Sequence, residues 1–178
     1  LDEGSGFGGG IRNVSALTIL DSTIHHNSVT AGIYAYGGGV FSEASTTTID
    51  GDKISPHLTI INSTISNNTL EGGEEAYGGG LFAGEGCCVA TDISIAPVKL
   101  INSTVADNNI QSSADTAGDG AVFAISYLDS WIPLQVTIDN SILAGNTRNA
   151  EPGEDCSILE GVISLSFESR HSLYEATG

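Results

Sequence analysis

Carboxylates, imidazoles, thiols and aromatic rings are the side chains of this sequence that could carry chemistry. Asp50 and Asp52 flank Gly51 and could offer oxygen ligands to calcium, a hard cation that takes carboxylate and carbonyl oxygens. The triplet lacks the downstream acid of a complete calcium loop, so a polar turn is the plainer reading. Glu71, Glu74 and Glu75 form one acidic cluster, and Glu151, Glu154 and Asp155 form another; solvated loop charge accounts for both. Calcium is thus the one cofactor these residues could hold, and the sequence requires none. His25 and His26 are neighbours. On a strand they would point to opposite faces, so a metal would need further ligands that the sequence does not supply. The cysteines are Cys87, Cys88 and Cys156. Adjacent cysteines rarely bond to each other, so a disulfide from Cys87 or Cys88 to Cys156 is expected, in an oxidising compartment, with one thiol left over.

What positions these groups is a repeat. LTILDSTIHHN from Leu17, LTIINSTISNN from Leu58, VKLINSTVADN from Val98 and VTIDNSILAGN from Val136 align without a gap, at spacings of 41, 40 and 38 residues. A second unit precedes each copy: GGGIR from Gly8, GGGVF from Gly37, GGGLF from Gly78 and DGAVF from Asp119. Apolar residues alternate within the copies, as at Leu58 and Ile60, which is the period of a strand. Runs rich in Thr, Ile and Val and broken by Asn, Ser and Gly predict an all-β chain with almost no helix. A repeat of three short strands cannot bury its own apolar side, so the copies must stack, strand upon equivalent strand, about 4.8 Å apart.

Stacking turns the alignment into columns. Ile11, Val40, Leu81 and Val122 fill one interior column, and Ile24, Ile65, Val105 and Leu143 another. Asn27, Asn68, Asn108 and Asn146 fall where strands end, and asparagine both tolerates left-handed backbone and bonds its neighbour's amide, so an asparagine ladder is expected. Phe7, Tyr36 and Tyr77 share one register, and Phe41, Phe82 and Phe123 another, with Arg12 in the first-rung place. Stacked rings could form a platform for sugar faces. They would instead be buried if the insertions, such as Ser42 to His57, fold back over them as side loops.

GGGVF followed by LTIINSTISNN resembles the repeats of right-handed parallel β-helix proteins of the pectate-lyase-like superfamily. More narrowly, it is similar to the repeats of bacterial polymorphic outer-membrane proteins and related adhesins. NSILAGNT from Asn140, followed by DCS from Asp155, is similar to the end of the β-helix in surface proteins of the choice-of-anchor type. The resemblance covers roughly Phe7 to Ser157. It implies a right-handed parallel β-helix solenoid of about four to five rungs with long side loops, spanning residues 1–178 as a single domain. It leaves function open, because the same rung serves lyases, adhesins and structural proteins.

Sugar-cleaving β-helix enzymes need carboxylates that converge from neighbouring rungs. The column from Asp21 continues as Asn62, Asn102 and Asn140, and that from His26 as Asn67, Asp107 and Gly145. His26 and Asp107 are two rungs apart, about 10 Å. Lys99 is the only base on a strand face, in a column otherwise of Thr18, Thr59 and Thr137. No catalytic residue is assigned, and the expectation is a non-enzymatic, adhesin-like surface module that meets a protein or glycan, or stacks end to end. The alternative is a carbohydrate-active enzyme or binding module whose acids sit on loops. The Ser-Thr pairs suggest ice binding as a third reading, but Ile142 replaces Thr in the fourth copy. Asn13, Asn62, Asn67 and Asn102 begin N-x-Ser/Thr triplets, which follow from the repeat itself. With 22 acidic and 5 basic side chains and a formal charge of -17, nucleic acid and anionic membrane surfaces are unlikely partners. No apolar run approaches the roughly 18 residues of a membrane helix. The absence of methionine and the start at Leu1 suggest a fragment of a longer, secreted chain. Exposed rung ends, including a further rung at Val162 to Phe167, invite stacking.

Overall fold

The computed structural model describes residues 4–43, 47–49, 52–54, 56–84, 97–113, 120–126, 135–152, 156–160 and 166–174. All the regular structure there is strand. The first tier holds β1 (Ser5–Phe7), β2 (Ile11–Asn13), β3 (Ala16–Leu20), β4 (Thr23–His25) and β5 (Ser28–Ala31). The second holds β6 (Tyr34–Tyr36) and β7 (Val40–Glu43), then a hairpin of β8 (Thr47–Ile49) and β9 (Asp52–Ile54), then β10 (His57–Ile61), β11 (Thr64–Ser66) and β12 (Thr69–Gly72). The third holds β13 (Glu75–Tyr77), β14 (Leu81–Gly84), β15 (Val98–Ile101), β16 (Thr104–Ala106) and β17 (Asn109–Ser112). The fourth holds β18 (Val122–Ser126), β19 (Gln135–Asp139), β20 (Ile142–Ala144), β21 (Thr147–Arg148) and β22 (Glu151–Pro152), and the fifth β23 (Cys156–Glu160), β24 (Ser166–Arg170) and β25 (Leu173–Tyr174).

Each sheet takes one strand from each tier. The five larger sheets run β1-β6-β13, β2-β7-β14-β18-β23, β3-β10-β15-β19-β24, β4-β11-β16-β20-β25 and β5-β12-β17-β21-β22. Only β8–β9 and β21–β22 pair antiparallel. The register is that of the alignment: Leu17, Leu58, Val98, Val136 and Phe167 lie opposite one another in turn, as do Ile24, Ile65, Val105 and Leu143. Parallel pairing of equivalent residues, tier on tier, is compatible with a β-solenoid.

The repeat contains five strands, not three, because two single-residue corners break each aligned block. Asp21, Asn62, Asn102, Asn140 and His171 have φ between 46 and 50°, and His26, Asn67 and Asp107 have φ of 54°. One left-handed residue redirects a strand without a loop, and Asn, Asp and His tolerate that conformation best among residues with a Cβ. The left-handed residue is therefore the one before each ladder asparagine. Asn27, Asn68, Asn108 and Asn146 themselves point inward with ordinary backbone. The fifth tier also lies further along the chain than VISLSF suggested: its strand is Ser166–Arg170, with Phe167 opposite Val136.

The interior is aliphatic and dry. Leu58, Ile60, Ile65, Leu81, Leu100, Val105, Ile138 and Leu143 are fully buried, each side chain contributing about 1.5–3 kcal/mol by leaving water. The first tier differs: Ile19, Ile24 and Val29 keep 7–8% of their surface where Ile60, Ile65 and Leu70 keep none. That difference marks an open end, since β1 to β5 each form a sheet edge with no partner among the described residues. Glycine fits where side chains cannot. Gly37 and Gly78 have φ of 67° and 71°, and a Cβ on either would strike the carbonyl of Val40 or Leu81.

Candidate functional site

Two buried polar rows lock the corners. In the first, the backbone N–H and Nδ2 of Asn68 both donate to Asn108 Oδ1 at 3.1 and 2.9 Å. Asn108 does the same to Asn146 at 3.0 and 2.9 Å, and Asn27 to Asn68 at 3.1 and 2.9 Å. The second Nδ2 proton of Asn68, Asn108 and Asn146 goes to the carbonyl of Ile24, Ile65 and Val105 in the tier before. The expected asparagine ladder is therefore present. The third glycine of each triplet makes room for it: a Cβ on Gly39 or Gly80 would lie 2.9 Å from the Nδ2 of Asn68 or Asn108.

The second row is of serine, and sequence reasoning missed it. Ser22 N–H donates to Ser63 Oγ, Ser63 to Ser103, Ser103 to Ser141 and Ser141 to Ser172. Each Oγ donates to the carbonyl two residues back. The signal was available, since a serine follows the left-handed residue in every copy and again in RHSLY.

The outer surface of the same corner carries a third row. Asn102 Nδ2 donates to Asn62 Oδ1 at 3.3 Å, and Asn140 Nδ2 to Asn102 Oδ1 at 2.6 Å. Beside it run Thr23, Thr64 and Thr104, continued by Ile142 and Leu173. On its other flank run Leu20, Ile61 and Ile101, then Asp139 and Arg170. Leu20, Ile142 and Leu173 are 53%, 44% and 62% exposed. The corner thus presents fixed carboxamides and hydroxyls between apolar side chains, which suits hydroxyl-bearing or mixed polar ligands.

The other candidates fall into separate places. Tyr36, Tyr77, Phe41 and Phe82 are buried against one another, with Phe7 and Tyr34 at the margin. Tyr36 stacks on Tyr77 at 5.7 Å and on Phe82 at 4.7 Å, so these rings serve packing and offer no open face for a sugar. Arg12 lies over Phe7 and Phe41 and bonds Glu43 at 3.0 Å. His25 and His26 do not point apart: His26 is the left-handed corner residue, and the two Nδ1 atoms come within 2.7 Å on the surface. Asp139 Oδ1 is the one buried side-chain polar atom without a hydrogen-bond partner among the described residues. Among the described residues, no group of three His, Cys, Asp or Glu side chains is gathered as for a metal, and no helix is long and apolar enough to cross a membrane. Asp52 opens β9 opposite Ile49 and Cys156 opens β23 opposite Val122; Asp50, Cys87 and Cys88 lie outside the described residues.

Comparison with protein-family models, with curated proteins and with solved structures gave no match.

Proposed function

We propose that the stacked sheets wind as one right-handed parallel β-helix and that this coil acts as a non-enzymatic, extracellular surface module that meets a protein or glycan. The observation that carries the binding role is the outer corner row. Asn62, Asn102 and Asn140 are hydrogen-bonded to one another in the open, on backbone that the two buried rows beneath hold in place. Such groups lose little freedom when a ligand arrives, so more of the contact energy appears as affinity. The acidic surface, at a formal charge of -17, favours a neutral or cationic partner over an anionic one. The carboxylates that the described residues place on columns lie apart: Asp21 at the start of the corner row, Asp107 at the second corner and Asp139 between Ile101 and Arg170.

A glycan array tests this reading, run with the whole chain in the presence and absence of calcium. Selective binding that falls at least fivefold in Asn102→Ala supports it. Release of oligosaccharide products from a polysaccharide would overturn it in favour of a carbohydrate-active enzyme.

A further inference from the structure

The polar rows have a direction. Along the serine row every N–H donates towards the following tier, so Ser22 Oγ at the open end accepts from no tier, while Ser172 presents the row's last N–H at the other end. The asparagine row runs the same way, and Asn27 Oδ1 is left as its unused acceptor. Asn27 lines an open groove of about 280 Å³ together with Gly10, Ile11, Thr23, Ile24 and His25. One end of the chain therefore offers acceptors above a partly uncovered aliphatic face, and the other offers the matching serine donor.

We propose that a second copy of this chain docks there head to tail, its last tier laid on the first tier in the register used inside each molecule. In that register β24 continues the sheet of β3, and β25 that of β4. Ser172 N–H of one copy reaches Ser22 Oγ of the next, Phe167 meets the Leu17 column, and His171 comes beside Asp21. Two first tiers face to face would set acceptor against acceptor, so ladder polarity selects head to tail. Such a contact does not close on itself and continues copy after copy. It rests on the tier pairing alone and is independent of the glycan reading: loss of either leaves the other standing.

The edge can be blocked at one residue. His57 N–H turns to the first tier and Leu58 N–H to the third; the equivalent alternation points Thr18 N–H off the open edge. Proline is tolerated on an edge strand where the lost N–H faced solvent, so Thr18→Pro removes an intermolecular donor at small cost to the fold. Sedimentation velocity over rising protein concentration, in dilute buffer and in 1 M salt to screen like-charge repulsion, is the test. The expected result is species that grow past dimers as concentration rises, more so at high salt. Thr18→Pro alone should stay monomeric, yet shorten wild-type assemblies when mixed in, because its last tier still docks. Should Thr18→Pro fail to fold, Ser22→Ala should weaken association about tenfold through the lost acceptor. A monomer at all concentrations and both salts, dimers that never grow, or unchanged association in the folded variants would overturn the proposal.

Discussion

Replacing Asn108 with alanine removes a carboxamide that is fully buried and makes four hydrogen bonds. Its Oδ1 accepts from the N–H and Nδ2 of Asn68, and its Nδ2 donates to Asn146 Oδ1 and the Ile65 carbonyl. Two neighbours keep a partner in the variant: Asn68 Nδ2 still reaches the Ile24 carbonyl, and Asn146 Oδ1 still accepts the Asn108 N–H. The Asn68 N–H and the Ile65 carbonyl lose their ladder bonds. At about 1–3 kcal/mol for each buried group left unmet, the cost is roughly 2–6 kcal/mol. Asn27→Ala at the open end loses a single bond to Asn68 Oδ1. Nothing buried is left unmet there, and the cost is about 0.5–1.5 kcal/mol. Urea unfolding with linear extrapolation reads both as midpoint shifts at constant slope. Asn108→Asp should cost at least as much as Asn108→Ala, since a carboxylate cannot donate to Asn146 Oδ1 and carries a buried charge. Equal costs at Asn108 and Asn27, or under 1 kcal/mol at Asn108, would refute the reasoning.

Ser103→Ala should destabilise by about 1–3 kcal/mol, by taking the acceptor from the Ser63 N–H, whereas Ser22→Ala should change the unfolding midpoint little. Gly37→Ala forces a Cβ into left-handed backbone against the Val40 carbonyl; it should cost more than about 1–2 kcal/mol, read as a lowered urea midpoint. Phe41→Ala empties a fully buried ring site stacked on Phe82 at 5.4 Å. It should cost about 3–5 kcal/mol and reduce the near-ultraviolet circular dichroism of the aromatic cluster.

The stacking was legible because four copies align without a gap, and a shared period with alternating aliphatics leaves little choice of register. Val40, Leu81, Ile65 and Val105 are core residues for that reason. The corners were less legible. A single left-handed residue has no length of its own, and Asn67 and Asn68 are the same residue type with opposite roles: Asn67 turns the chain in solvent while Asn68 is buried in the ladder. Strand alternation put His25 and His26 on opposite faces, and it failed because the corner at His26 swings its ring back beside His25. The serine row was visible in sequence but looked like generic β polarity. Whether the rings of Phe7, Tyr36 and Tyr77 faced solvent could not be read from register, because Phe41 and Phe82 meet them from the neighbouring sheet.

The central claim is that residues one period apart are hydrogen-bonded through the ladder. Scalar coupling across the hydrogen bond, measured by NMR between the Asn68 backbone nitrogen and the Asn108 side-chain carbonyl carbon, tests it directly. The structure predicts a detectable coupling there and another from Asn108 to Asn146, with both amide protons slow to exchange. Rapid exchange with no coupling, and contacts from these amides only to sequence neighbours, would contradict it.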